Sequence, residues 1–293
     1  MINQKVLKKK DAHQGCYTSG CSFLTPVALA SLALLAVLFL GKTTAQTKSD
    51  AAPVKTDEVI DPQAMEILQE MAKTIAGAKQ FSVTVRSSYD APQENGQMVE
   101  FGTVQTLQVK RPNLLRVDVH RSDGDQRLLL FDGKQIVVQN VTDNVYVKVE
   151  HIGNVDEKIK YLVGDLQIPL PLARMFRTTF PAKIALLVEA IDYVERDMLT
   201  DVPTDHLVGR AHDVDVQVWV AEGKEPLPRR IVITYKHAQG QPQFRADFSD
   251  WNLSAKAVKG PFIFTPPKDS EQIPILTAVR KKAKSPAPIG GVK

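Results

Sequence analysis

The sequence predicts an α+β protein built on a curved antiparallel β-sheet, with helices covering one face of that sheet. Two observations predict it. Short segments of alternating apolar and polar residues outnumber helical segments, and they follow one another separated by turns and not by helices. The regular alternation of strand and helix that would indicate a parallel sheet does not occur in the sequence. The order is one helix, a run of strands, a helical centre, a second run of strands and a tail.

The first 45 residues predict an export leader. An uncharged apolar run occupies residues 23–41, follows a basic stretch at Lys5–Lys10, and precedes a small-residue pattern that ends at Ala45. These are the three parts of a secretory signal, although roughly 20 apolar residues also suffice to span a bilayer. Cleavage near Ala45 and attachment to the inner membrane through residues 23–41 therefore both stay open. Both place the remaining chain in the periplasm.

The charge distribution argues against nucleic acid as a partner. The chain carries 37 basic and 33 acidic residues, and its first 45 residues hold five lysines against one aspartate. The remainder is therefore formally neutral with its signs interspersed, which is atypical of nucleic-acid binding. Both cysteines, Cys16 and Cys21, precede the apolar run, so a processed chain would hold neither a disulfide nor a thiol nucleophile.

Residues 46–60 are polar and aperiodic and predict a flexible spacer, after which a domain of residues 61–276 begins. Asp61 and Pro62 are typical of a helix N-cap and first turn. Apolar residues then recur at helical spacing, at Met65, Leu68, Met71, Ala72 and Ile75. A long β region follows, whose turns are predicted at residues 91–96, 111–113, 122–125 and 132–133.

The centre of the domain has helical spacing over residues 155–166 and 169–179 and is segmented by prolines. β character then returns, and the predicted strands are residues 192–198, 206–210, 214–220, 229–235 and 243–251. In these strands Trp219 and Trp251 fall on the polar side of the alternation. The basic, Pro- and Gly-rich residues 277–293 predict a disordered tail.

The sequence offers no catalytic or metal-binding constellation. The closest histidines, His206 and His212, would lie roughly 20 Å apart on a strand, too far for one metal ion to bridge. Neither a GxSxG nucleophile elbow nor a glycine-rich phosphate-binding motif occurs in the sequence. The sequence therefore predicts that the protein is not an enzyme and uses no metal or cofactor.

The candidate ligand site is the apolar face of the strands. A binding cavity is typically apolar with a few polar groups, but an ordinary packed core has the same apolar residues. The sequence leaves both interpretations open. The candidate cavity residues are Leu115, Val117, Val119, Val214, Val216, Val218, Ile231, Ile233, Phe244 and Phe248.

Three segments together resemble a known family. They are the turn Arg111–Asn113 with Arg116 after it, the alternating run at residues 131–149, and the FIFTPP sequence at residues 262–267. In this order they resemble the periplasmic lipoprotein carriers of the LolA/LolB type. They resemble more closely the DUF2092 group of predicted periplasmic proteins, which is similar in fold. The resemblance covers roughly residues 61–275.

The resemblance implies an unclosed β-barrel with helices packed in its mouth, around an apolar cavity that holds acyl chains in the carriers. An arginine after a proline-containing turn helps latch the helical lid in those carriers, and Arg116 occupies the matching place here. The long leader and basic tail depart from the carriers. The function implied is a non-catalytic periplasmic protein that binds a lipid, a lipidated protein or another apolar ligand. The alternative is a membrane-anchored envelope sensor or protein-interaction domain.

Overall fold

The computed structural model describes residues 59–166, 170, 172–254, 258 and 261–274. The predicted leader, most of the predicted spacer and the predicted tail lie outside the described residues. Among the helices that are described, none combines the length and the apolar character needed to cross a membrane.

One sheet forms the body of the domain. Its strands are β1 Gln80–Pro92, β2 Met98–Lys110, β3 Leu114–Arg121, β4 Gln126–Asp132, β5 Gln135–Asn140, β6 Val145–Glu150, β7 Ala190–Asp197, β8 Thr204–Arg210, β9 Val214–Ala221, β10 Pro228–Tyr235, β11 Gln243–Asn252 and β12 Glu271–Gln272. The helices are α1 Pro62–Gly77, α2 Val155–Lys160 and α3 Phe180–Leu187, with a π-helical turn at Tyr161–Asp165 and a 3₁₀ turn at Ala173–Phe176.

The strands are ordered β12-β6-β5-β4-β3-β2-β1-β11-β10-β9-β8-β7. Every neighbouring pair is antiparallel except β12 and β6, which are parallel. The pairing of β1 with β11 joins the two sequential runs of strands into one surface. The sheet curves, and its end strands β12 and β7 do not meet, so the prediction of an unclosed antiparallel sheet is confirmed.

One face of the sheet, called the inner face below, is covered by helices. Asp61 caps α1, because its carboxylate accepts a hydrogen bond of 2.8 Å from the Gln63 amide. Leu68, Met71 and Ile75 of α1 are buried in one apolar cluster with the strand residues of this face. The helices between β6 and β7 contribute to the same cluster and are called the lid below. The predicted helical cover on one face is therefore confirmed.

A β-bulge in β11 changes which side chains enter the core. β11 advances three residues, from Ser249 to Asn252, where β1 advances two, and Asp250 within this step has φ +55°. The extra residue places Trp251 on the inner face, where its ring lies 6.0 Å from that of Phe248. The prediction that Trp251 lies on the polar side is therefore wrong. Simple alternation assumes a strand without a bulge, and the extra residue shifts the alternation by one position.

The opposite, outer face of β3–β6 is covered by the segment Pro261–Phe264, called the strap below. Arg116 donates to the Pro261 carbonyl over 3.3 Å, and the rings of Tyr146 and Phe264 lie 5.1 Å apart. Leu130 pairs with Arg116 and with Val137 in register, so all three share this face. Leu130 and Val137 are fully buried there, and the strap therefore completes a second, smaller apolar layer.

Flanking segments pair with both edges of the sheet. At one edge β12 adds to β6, and the Ile273 amide donates to the Tyr146 carbonyl over 2.9 Å. At the other edge, Ile60 forms a parallel bridge to Ile191 of β7. The amide of Ile191 donates to the Val59 carbonyl over 3.1 Å.

Candidate functional site

All ten candidate cavity residues lie on the inner face. The strand register pairs Ile231 with Val218 and Ile233 with Val216, and the same rows continue across β11 and β1. Their depth of burial divides them into two groups. Six are buried in the apolar cluster with the helices: Leu115, Val117, Val218, Ile231, Phe244 and Phe248. Four are half-buried: Val119, Val214, Val216 and Ile233.

The half-buried inner face has two apolar wings. One wing is formed by β9 and β10 and consists of Val214, Val216, Ile233 and Tyr235. The other wing is formed by β3, β4 and β5 and consists of Val119, Leu129 and Val138. Half-burial of large apolar side chains on an inner face leaves apolar surface that another apolar molecule can cover.

A short polar row on β1 and β2 separates the wings. The hydroxyl oxygens of Ser87 and Thr103 lie 2.8 Å apart, and the Gln105 side-chain amide donates to the Thr103 hydroxyl over 3.2 Å. Gln105 pairs in register with Val119 and therefore shares the inner face. We call the two wings and this row the trough. Its mixture of apolar wall and few polar groups is typical of small-ligand sites.

The charged groups at the rim of the trough neutralise one another. Arg127 lies beside Val119 in register, and its guanidinium contacts the Asp125 carboxylate at 2.6 Å. Arg121 lies beside Thr103, and its guanidinium is 3.4 Å from the Asp123 carboxylate. The described rim thus has no excess of either sign, which favours an apolar or weakly polar ligand.

Arg111 ties the lid to α1. Its guanidinium donates to the carbonyls of Ala78, Phe176 and Ile75 over 3.1, 2.8 and 3.4 Å. A further guanidinium nitrogen lies 3.8 Å from the carboxylate of Asp156, at the start of α2. Burial lowers the pKa of Arg111, and the charge of Asp156 opposes that shift. One side chain therefore holds the end of α1, the 3₁₀ turn and α2 together.

The predicted latch, Arg116, lies on the outer face. Its guanidinium binds the Asp118 carboxylate through two hydrogen bonds of 2.8 and 2.7 Å and also reaches the strap. The latching contacts with the helices belong instead to Arg111, in the same Arg-Pro-Asn turn. The alternation in β3 already indicates that Arg116 lies on the outer face, because this residue falls between the inner-face residues Leu115 and Val117.

An aromatic cluster lies under Arg111. The ring centroid of Phe81 is 5.8 Å from that of Phe176 in the lid and 5.8 Å from that of Trp251. The Trp251 indole donates to the Pro228 carbonyl over 2.9 Å. The Arg111 guanidinium lies 6.0 Å from the Phe81 ring centroid. The cluster therefore joins sheet, bulge and lid at one end of the inner face.

Lys158 of α2 carries a fully buried amine. The amine donates one long hydrogen bond, 3.4 Å, to the Gln135 carbonyl and lies 5.7 Å from the Phe131 ring centroid. Burial lowers the pKa of Lys158, and the carboxylates of Asp132 and Glu157 oppose that shift. Burial also acts to raise the pKa of Asp132, but hydrogen bonds from Lys134 and Gln135 outweigh it and lower that pKa.

Replacing Lys158 with methionine is expected to leave the fold intact and to raise the free energy of unfolding at neutral pH by about 1–3 kcal/mol, because methionine avoids the desolvation cost of a buried amine with one long hydrogen bond. The Asp132 carboxylate keeps hydrogen bonds of 2.9 and 2.8 Å from two backbone amides, so Lys158→Met does not leave it without hydrogen-bond partners. In the wild type, the unfolded state holds the Lys158 proton more tightly. Lys158 therefore makes the free energy of unfolding rise with pH between its lowered pKa in the folded state and the ordinary lysine pKa. Urea unfolding across this alkaline range should show that rise in the wild type and lose it in Lys158→Met.

The histidines noted in the sequence do not come together. His206 stacks on Trp219 with ring centroids 4.0 Å apart, and its Nε2 lies 3.1 Å from the Gln217 side-chain oxygen. His212 lies in the following turn with its side chain 85% exposed. In the part of the chain that the structure describes, no group of three or more His, Cys, Asp or Glu side chains is placed to hold a metal ion.

Comparison with solved structures gives distant similarities. Lipoprotein LppX of Mycobacterium tuberculosis is 14% identical, with 68% of this chain and 100% of that chain covered and a TM-score of 0.44. LprF of Mycobacterium bovis is 15% identical, with 69% and 98% covered and a TM-score of 0.42. A LolA superfamily protein of Nitrosomonas europaea is 13% identical, with 65% and 93% covered and a TM-score of 0.31.

No curated protein matches the sequence significantly. The family match is independent of these distant structures and extends over residues 64–276, which include all of α1 but its first two residues, the lid and all twelve strands. It confirms the resemblance that was inferred from the Arg-Pro-Asn turn, the alternating run at residues 131–149 and the FIFTPP segment. The chain belongs to the DUF2092 family of predicted periplasmic proteins.

Proposed function

We propose that this protein is a non-catalytic periplasmic binding protein that holds an acyl chain or a similar apolar ligand in the trough. The observation that carries the proposal is the graded burial along the inner face. Six of the ten candidate residues are closed off by helices, whereas Val119, Val214, Val216 and Ile233 stay half-buried. An apolar ligand over these residues would continue the same core beyond the helices.

The polar row supports an elongated, weakly polar ligand over a charged one. Ser87, Thr103 and Gln105 supply hydrogen-bonding groups between the wings without adding a charge. The arginines at the rim are already neutralised by Asp123 and Asp125. A hydrocarbon chain with an ester or hydroxyl group fits this arrangement of wall and polar groups.

The test is native mass spectrometry of the full chain, expressed in bacteria and purified gently from the cell envelope, with lipid extraction of the same sample. Stoichiometric lipid is expected in the wild type. Val216→Asp should lower its occupancy at least tenfold, because a carboxylate in the wing opposes an acyl chain by more than 1.4 kcal/mol.

Val208→Asp is the matched control. Val208 is also half-buried and lies on the neighbouring strand, but it pairs in register with Gln217 on the outer face. It should retain the lipid. A wild type that carries no lipid and takes up none from added fatty acids or phospholipids would overturn the proposal, as would equal loss of lipid from both variants.

A further inference from the structure

Helix α3 presents an apolar surface that the rest of the chain does not cover. Of its eight residues only Ile184 is buried in the core. Leu186 is 83% exposed and Leu187 is 44% exposed, and Ala182 and Ala185 are exposed beside them. A helix that is apolar on its outer side as well as its inner side is typical of a buried or lipid-contacting position.

The described chain begins beside this surface. Val59 and Ile60 are 52% and 42% exposed and pair with Ile191, four residues after α3 ends at Leu187. The exposed apolar residues of both segments therefore lie at the same end of β7. The chain that precedes Val59 contains the apolar run of residues 23–41, which has the length of a membrane span.

We propose that the outer surface of α3, together with Val59 and Ile60, rests on a phospholipid bilayer. This inference goes beyond the proposed function and does not depend on a ligand in the trough. Residues 42–58 would hold an anchored domain within roughly 60 Å of the bilayer even if fully extended, so contact needs no further partner. In a processed chain the same leucines would provide weak, reversible attachment.

The composition of the surface favours lipid over a protein partner. Protein interfaces are enriched in aromatic residues, methionine and arginine. The exposed residues of α3 are instead alanine, leucine and Lys183, whose long stem can lie along acyl chains while its amine reaches the headgroups. Lys183 and Glu189 offset one another in charge, so we infer insertion into zwitterionic lipid without a requirement for anionic lipid.

The experiment uses the full chain with Cys16→Ser and Cys21→Ser, and a single cysteine introduced by Leu186→Cys or, as the control, Leu199→Cys. Leu199 is 96% exposed in the turn after β7. The eight residues of β7 separate it from α3 by roughly 20 Å or more. Each cysteine is labelled with an environment-sensitive dye, and the protein is added to phosphatidylcholine vesicles with and without phosphatidylglycerol.

A blue shift of the dye, with several-fold stronger quenching by brominated lipid at position 186 than at position 199, is expected in both lipid mixtures. No response at position 186 would overturn the proposal, and so would equal responses at the two positions. A shift that appears without vesicles and grows with protein concentration would assign the surface to a second copy of the chain and would also overturn it. Lipid in the trough is measured separately, so the two proposals can fail independently.

Discussion

Arg111→Ala is expected to lower the free energy of unfolding by about 3–5 kcal/mol, because it removes a largely buried guanidinium that donates to three backbone carbonyls and lies near a buried carboxylate. The change leaves the carbonyls of Ile75, Ala78 and Phe176 without the guanidinium donors that they now share. It also removes the cation that lies 3.8 Å from the Asp156 carboxylate, which is only 13% exposed and keeps its hydrogen bonds from Thr178. Urea unfolding followed by tryptophan fluorescence measures the loss.

Arg116→Ala is the matched control for this prediction. It also removes an arginine, but one that is five positions further along the chain and lies on the outer face. Its partner Asp118 is 33% exposed, so we expect a loss below about 1 kcal/mol. Arg111→Lys should recover only part of the stability, since an ammonium cannot spread donors over three carbonyls as the planar guanidinium does. A larger loss from Arg116→Ala than from Arg111→Ala would contradict the placement of the latch.

Phe81→Ala is expected to destabilise the domain by about 3–5 kcal/mol and to loosen the lid. The Phe81 side chain is fully buried, and it contacts one aromatic ring from the lid and one from the bulge of β11. Its removal would leave a cavity bounded by Phe176, Trp251 and the Arg111 guanidinium. A change in Trp251 emission in the folded state should accompany the lower urea midpoint.

Phe101→Ala provides the comparison for Phe81→Ala. Phe101 also lies on the inner face and stacks on an aromatic ring, that of Tyr89 at 5.7 Å, but it is only half-buried. Phe101→Ala should lower the free energy of unfolding by clearly less than Phe81→Ala, because water can fill the space left at a half-buried position and no closed cavity forms. Equal losses from the two variants would show that the aromatic cluster does not organise the end of the inner face.

The regular parts of the fold could be predicted from the sequence because local pattern determines them. Asp61 and Pro62 predict the start of α1, and the alternation of Val214, Val216 and Val218 predicts β9 with the correct inner face. The same alternation places all ten candidate residues on one face. Strands separated by turns also predict the antiparallel pairing that the structure shows.

Long-range contacts decide what the sequence could not predict. The bulge at Asp250 moves Trp251 to the inner face, and only pairing with β1 reveals it. Whether an apolar residue is buried or half-buried depends on how far the lid reaches, which separates Val218 from Val216. The strap covers the outer face through Pro261, 145 positions away from Arg116, and this partnership is not encoded by any local pattern.

The parallel pairings at Ile60 and at β12 assign a role to the ends of this domain. An open sheet offers two rows of unpaired backbone groups, which in other proteins invite strand addition by a second molecule. Here the start of each row is occupied, by Ile60 beside Ile191 at one edge and by Glu271 and Gln272 beside Val145 and Tyr146 at the other. These short segments of flanking chain therefore leave less of each edge strand open to strand addition by a second molecule.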